Sequence, residues 1–427
     1  MKRNKIAYIL VEETLEPELL RRQVVELLGD IKSQNPNYFI KVFLLKNCVS
    51  VLFNLKNIRT SKFLLEKQGI KFCIIPTLSP WPFPIPLFQT RGGIKLIHNW
   101  DELTTKTFTI LSLPFLFILL YFGRYKILHS RSYPATFLAI SIRKLAKSFS
   151  VIFDPRSDWP EENVTSGMFS DKQFKFWKKT EIEMLKVSNY TACISRTYLR
   201  HFENGTQNFS NFIVPNNVKT KKFHFSESER KKIRLEYKIN DNEIVFVYLG
   251  SIGYTGWHNV MLYKKFYNIC CESISQFKFL FLIPENCVDV IKSEFKNYDN
   301  VIINSPSFEN VPNLLSAADV GMMFFDKKKI AVGTKIGEYL SIGLPFIVNS
   351  NCVGASDYID LKERLGLLVN IGAGDLDPKA NFNNIQNKIS ELLNHNFVRV
   401  DFARKHFDNI VIAREYSIAY ENIFKQS

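Results

Sequence analysis

The feature that most restricts this chain is a series of short runs, apolar at consecutive positions and each closed by a turn or polar residue. KIAYILV, IKVFLL, IKFCIIP, YKILHS, FSVIFD, YTACIS and NFIVP come first. EIVFVYLGS, FKFLFLIPE, NVIINSP, DVGMMFF, LPFIVNS and LGLLVN follow after Pro215. A strand with one wet face alternates apolar and polar residues, whereas a continuously apolar strand is covered on both faces, the condition of a parallel sheet flanked by helices. Segments such as PELLRRQVVELLGDIKS, FKFWKKTEIEMLKVS, WHNVMLYKKFYNICCES and ENVPNLLSAAD supply those helices. At 427 residues the chain exceeds one ordinary core and suits two domains of roughly 200 residues. The polar stretch NNVKTKKFHFSESERKKIRLEYKINDNE leads from the first into the second. The predicted fold class is α/β, with two Rossmann-like, doubly wound parallel-sheet domains facing a central cleft. The first spans residues 1–220 and the second 221–407, and a C-terminal helix at about 408–427 is a candidate to pack back on the first.

With 46% hydrophobic and 23% charged residues, disordered and fibrous classes are excluded. The net charge of +15 favours an anionic partner without choosing among nucleotide phosphate, nucleic acid and acidic lipid. Seven scattered cysteines show no C-x-x-C and no metal-ligand spacing, which fits a reduced, cytoplasmic protein. The first apolar run is too short for a signal-peptide core, and the sequons at Asn163, Asn189, Asn204 and Asn208 are read as chance in an Asn-rich chain. One segment departs from a plain soluble pattern. FTILSLPFLFILLYFG, interrupted by Pro114, falls short of a bilayer span. A buried helix is the expectation, and a half-embedded patch on an anionic membrane, beside the aromatic loop WPFPIPLF, is the sharper alternative.

Ligands of open parallel sheets bind beyond the C-terminal strand ends, so residues just after strands are the candidates. Gly250 and Ser251 open a loop of small residues after EIVFVYL, which admits a phosphate near the backbone. Further on, Gly333, Thr334 and Lys335 open a short helix. Thr334 is expected to cap its amides, and the helix dipole with lysine would attract a diphosphate. Glu338 lies one turn deeper, where a carboxylate accepts both hydroxyls of a ribose, although a first-turn Glu also suits the dipole alone.

The strings TKIGEYLSIGLPFIVNS and NLLSAADVGMMFF resemble the nucleotide-sugar site of GT-B glycosyltransferases, in particular the retaining family four. ILHSRS, IFDPRSDWPEE, the Ser195 turn and FIVPNNVKTKKF resemble that family's landmarks in order, so the likeness covers most of the chain and is weakest before about residue 125. The resemblance implies that Glu338 holds the donor ribose, that Lys335 and the amides from Gly333 face the diphosphate, and that Gly250 and Ser251 line the same donor site. His129, Arg131, Asp154 and Arg156 would lie on the acceptor side as catalytic candidates. Against this, His129 could be a satisfied core histidine and Asp154 with Arg156 a structural ion pair.

The chain departs from the family at three places. Ile330 stands where the first of two glutamates is usual. The turn after the first strand carries Glu12, Glu13, Glu16 and Glu18 in place of glycines, and the Gly250 loop lacks the usual Arg and Lys. Lys335 or the run Lys327 to Lys329 would then supply the charge, although such a run is more often a solvated loop. The string Asp375-Leu376-Asp377 sits in a late polar segment and reads as a decoy for a metal-dependent transferase.

The function implied is transfer of a sugar from a nucleoside-diphosphate sugar to a glycan or lipid-linked saccharide hydroxyl, in surface polysaccharide or glycolipid assembly. Retention, with no metal and no cofactor, belongs to the same expectation, because lysine, helix dipole and amides stabilise a departing diphosphate and the phosphate itself takes the acceptor proton. Alternatives are a sugar-nucleotide 2-epimerase of the same fold and a non-catalytic sugar-nucleotide-binding subunit. No nucleic-acid module is present, and the basic residues are spread over both halves.

Overall fold

The computed structural model of the chain describes all residues except 1–3, 14, 16–19, 80–86, 91–92, 97–98, 207–208, 255–256, 331, 360–364, 370, 372–384, 394–395 and 427. Most of WPFPIPLF, the string Asp375-Leu376-Asp377, Glu16 and Glu18 therefore lie outside the described residues. The chain divides into two units. One consists of Met1–Pro215 with Asn409–Ser427, and the other of Asn216–Asp408. The passage between them comes five residues before the expected boundary, because Val218 is fully buried in the second unit's core and its amide bonds Phe407 O at 2.8 Å.

In the first unit the apolar runs become β1 (Asn4–Val11), β2 (Tyr38–Asn47) and β3 (Lys71–Thr77). An antiparallel hairpin of β4 (Leu87–Thr90) and β5 (Gly93–Leu96) follows, which the periodicity did not announce. Then come β6 (Ile127–Arg131), β7 (Ser150–Asp154), β8 (Tyr190–Cys193) and β9 (Asn211–Ile213). Seven of these strands form one sheet in the order β3-β2-β1-β6-β7-β8-β9, parallel throughout. The chain runs outward from β1 to β3 and then restarts on the other side at β6, so the C-terminal ends of β1 and β6 flank the point where strand order reverses. Ile6, Tyr8, Leu10, Ile127 and Ile152 are fully buried beneath the helix Leu27–Gln34 and the C-terminal helix Asn409–Gln426.

The second unit repeats the plan with β10 (Ile244–Leu249), β11 (Phe277–Leu282), β12 (Val301–Asn304), β13 (Val320–Met323), β14 (Phe346–Asn349) and β15 (Gly366–Val369). Their order is β12-β11-β10-β13-β14-β15, again parallel, with the reversal between β10 and β13. Both faces are covered, one around Leu280, Ile336, Leu340 and Val348, the other around Phe246, Phe266, Phe279 and Ile347.

Four of the nine positive φ angles among the described residues follow the C-terminal ends of strands: Glu12 (56°) after β1, Ser132 (68°) after β6, Arg156 (59°) after β7 and Gly250 (119°) after β10. Three of the four carry a Cβ, so the backbone there holds a conformation that L residues adopt only at a cost of about 1–3 kcal/mol.

The apolar segment corrects the expectation of a buried helix. It forms one helix, Glu102–Phe122, started by the Asp101 side chain accepting the Thr104 amide at 2.7 Å. Only a third of its most apolar window is buried. All seven cysteines are free thiols.

Candidate functional site

In the second unit the candidate residues converge on the reversal between β10 and β13. Leu249 ends β10, and Gly250 turns away with a φ that favours glycine. A Cβ placed on Gly250 would lie 2.9 Å from Lys335 Cε, so the missing side chain is what lets Lys335 lie against this loop. Lys335 Nζ is 2.8 Å from His258 Nε2 and sits over the Tyr248 ring, 5.1 Å from its centroid. His258 Nδ1 lies 3.0 Å from Phe324 O, so Nδ1 donates to the carbonyl and Nε2 accepts from the ammonium. Burial lowers the Lys335 pKa to about 8, with Glu338 opposing that shift and Lys329 adding to it. Burial, and then the Lys335 charge, push His258 well below the usual imidazole range, so it stays neutral. Tyr248 Oη donates to Ser251 O at 2.5 Å and holds the loop after β10.

Gly333 is the N-cap of the helix Thr334–Ile342 and makes no side-chain cap; Thr334 is the first helical residue. The expected Thr334 cap is thus corrected: Gly333 occupies the capping position, so no side chain caps the first-turn amides. A Cβ on Gly333 would meet Met323 Sδ at 2.7 Å, so the end of the Met323 side chain fills the space that a side chain at 333 would need. Glu338 is buried one turn further on. Tyr339, the next residue, accepts the Leu249 amide at 3.1 Å and donates to Met322 O at 3.2 Å. Its hydroxyl thereby ties β10 to β13 where the two strands pair over Phe246–Val320 and Val247–Gly321. The helix ends at Gly343, with φ 89°. Lys327 and Lys328 are exposed, while Lys329 lies 4.6 Å over the Trp257 ring. Ile330 is half-buried.

In the first unit the other candidates form one buried network. His129, in β6, is fully buried, with Nε2 3.2 Å from Asp154 Oδ2 and Nδ1 2.5 Å from Tyr420 Oη. Tyr416 Oη donates to the same Asp154 oxygen at 3.0 Å and accepts from Arg156 Nη1 at 3.2 Å. Arg156 Nη1 is 3.8 Å from Asp154 Oδ1, an ion pair without hydrogen-bond contact. Burial lowers the His129 pKa despite the nearby Asp154. Burial would raise Asp154, but Arg156 and His129 outweigh it and hold the carboxylate below its usual range. Neutral His129 therefore donates from Nε2 to Asp154 and accepts at Nδ1 from Tyr420, and both its nitrogens are used inside the protein.

Arg131 extends the network toward the β1 turn. Its Nε is 2.9 Å from Glu13 Oε2 and its Nη2 donates to Gln23 Oε1 at 2.7 Å. Arg131 Nη1 and Tyr8 Oη are buried and without a hydrogen-bond partner among the described residues. Glu12, also in that turn, accepts the Asn47 amide and pairs with Lys46 at 3.8 Å. Of that acidic turn, Glu12 and Glu13 thus each face a cation, Lys46 and Arg131. Asp158, Glu161 and His201 bring ligand-type atoms within 4.8 Å of one another. Lys178 already supplies the cation there, 2.7 Å from Glu161 and 3.3 Å from His201.

Sequence reasoning missed His258, Tyr248 and Tyr339 around the lysine, and Tyr8, Tyr416 and Tyr420 around the histidine. Only the i, i+4 pair Tyr416 and Tyr420 offered a signal, two hydroxyl-bearing aromatics on one face of the last helix.

Two parallel sheets of reversed strand order are the architecture of the GT-B fold, which solved structures share with this chain. Among solved structures, HepE of Anabaena in complex with UDP superposes with a TM-score of 0.67 at 12% identity, covering 98% of this chain and 100% of that one. A glycosyltransferase of Rickettsia africae gives 0.66 at 13%, with both chains fully covered. The lipopolysaccharide outer core galactosyltransferase WaaB gives 0.66 at 14%, covering 99% of this chain and 100% of that one. HepE has also been solved with UDP-glucose. No protein-family model matches the chain, and no curated protein matches it in sequence.

Proposed function

We propose that the chain is a glycosyltransferase that takes a sugar from a nucleoside diphosphate, with UDP the first nucleotide to try, and passes it to a hydroxyl of a glycan or lipid-linked saccharide. The observation that carries this reading is Lys335, buried against Gly250 beside a helix N-terminus without a side-chain cap and one turn before a buried glutamate. A departing diphosphate needs positive charge that is already in place. Lys335 supplies a cation whose direction is fixed by His258, and the first-turn amides of Thr334–Ile342 add dipole and hydrogen-bond donors. Glu338 would accept the ribose hydroxyls.

The first-unit network would serve the acceptor. His129, with both nitrogens engaged, acts as a positioning residue that orders Asp154 and Arg156; the buried Arg131 Nη1 and Tyr8 Oη are groups there with donor capacity left for a sugar hydroxyl. Retention of anomeric configuration, with the leaving phosphate as proton acceptor and without a metal, is the mechanism that asks for no further base. Work on surface polysaccharide or glycolipid in the cytoplasm completes the proposal.

Calorimetric titration with UDP, GDP, ADP, CDP and TDP tests the donor site. We expect UDP to bind at micromolar strength and Glu338→Ala to weaken it by about tenfold or more. If no nucleotide binds, or the substitution leaves affinity unchanged, the donor assignment fails.

A further inference from the structure

The helix Glu102–Phe122 is inside out. Its buried stripe is Thr105, Phe108, Thr109, Ser112, Leu116 and Leu120, half of it hydroxyl-bearing. Thr105 and Thr109 return their hydroxyls to the helix's own backbone, at Asp101 O (2.7 Å) and Thr105 O (2.8 Å). The face turned outward carries Ile110 at 70% exposure, Phe115 at 54%, Ile118 at 52% and Phe122 at 78%. A helix on a water-facing surface is arranged the other way round.

The charge along this stretch of chain is basic, although Lys144 pairs with Glu183 and Arg131 is buried against Glu13. From Leu103 to Phe153 the chain holds seven lysines and arginines and no aspartate or glutamate. Arg124, exposed, follows the helix directly. Lys147, also exposed, lies in the turn whose Phe149 ring meets Phe117 of the helix at 6.0 Å, and Leu145 beside it is 64% exposed. At the helix N-terminus Lys106 pairs with Glu102 at 2.6 Å, and Asp101 caps the first turn.

We infer that this face rests on an anionic lipid bilayer, with the helix lying in the plane of the headgroups and the basic rim against acidic lipids. Crossing the bilayer is excluded by the packing. The helix is held along its length by the stripe from Thr105 to Leu120 and runs within a few residues into β6 at the middle of the sheet. A second copy is the weaker occupant, because a two-fold contact would set the same positive rim against itself. The inference does not depend on the donor site, so either can fail alone.

The test is cosedimentation of the full chain, purified without detergent, with vesicles of phosphatidylcholine alone or with about 30% phosphatidylglycerol. Light scattering follows its oligomeric state in parallel. We expect binding to the anionic vesicles about tenfold tighter than to the neutral ones. Ile110→Ser/Phe115→Ser/Ile118→Ser, which touches only exposed positions, should lose that binding by about tenfold or more, with helical content and UDP affinity unchanged. Arg124→Gln/Lys147→Gln should lose the preference for anionic vesicles. The inference is overturned if the wild-type chain stays in the supernatant, if the serine variant binds as well as wild type, or if that variant instead splits a solution dimer.

Discussion

Lys335 shows how one residue's surroundings set its chemistry. Because burial brings its pKa to about 8, the ammonium is largely present at pH 7 and is lost as pH rises through 8. UDP affinity should therefore fall between pH 7 and 9, with a proton taken up on binding at the upper end. Lys335→Met should weaken UDP by about tenfold and flatten that dependence, as read by calorimetry in buffers of different ionisation enthalpy. The same shift has the opposite sign for folding. An unfolded lysine near the ordinary 10.5 keeps its proton over the window from about 8 to 10.5, so this group makes the free chain more stable as pH climbs through it. At His129, Tyr420→Phe removes the donor to Nδ1 from a fully buried ring, and thermal unfolding should show a loss of about 1–3 kcal/mol. Lys335 and Glu338 could be picked out in the sequence because they follow a strand and open a helix. His258 could not, since the lysine it holds is 77 residues away and nothing local marks the pair.

Among elements, the helix Thr334–Ile342 is keyed to the sheet by Tyr339. That tyrosine fits because β13 has a glycine beneath it: a Cβ on Gly321 would fall 2.3 Å from Tyr339 Cδ2. Gly321→Ala should lower the unfolding free energy by about 1–3 kcal/mol in a denaturant titration. It should also weaken UDP, because moving Tyr339 moves Glu338. The thirteen strands of the two sheets were legible as apolar runs, since burial on both faces leaves no polar position to blur them. The helix Glu102–Phe122 was legible as helix but not in its orientation. Period alone finds an apolar stripe, and only the packing reveals that Thr105, Thr109 and Ser112 took the inner side.

Over the whole molecule, the first unit is built from two separated pieces of chain. The helix Asn409–Gln426 supplies Ile412, Tyr416, Tyr420 and Ile423 to a core otherwise made before Pro215. Removing residues 409–427 should strip hydrogen-exchange protection from β1, β6 and β7, while β10 to β14 keep theirs. The sequence hinted at such a return only through a helix left over after the last strand; where it packs depended on a slot that no local pattern describes.

During synthesis that arrangement imposes a wait. At ordinary elongation rates the 193 residues of Asn216–Asp408 take roughly 10 to 40 s to emerge. Throughout that interval the helix that gives Tyr416 and Tyr420 to Asp154 and His129 has not been made. The His129 network, which takes hydrogen bonds from Tyr416 and Tyr420, can close only when that helix arrives.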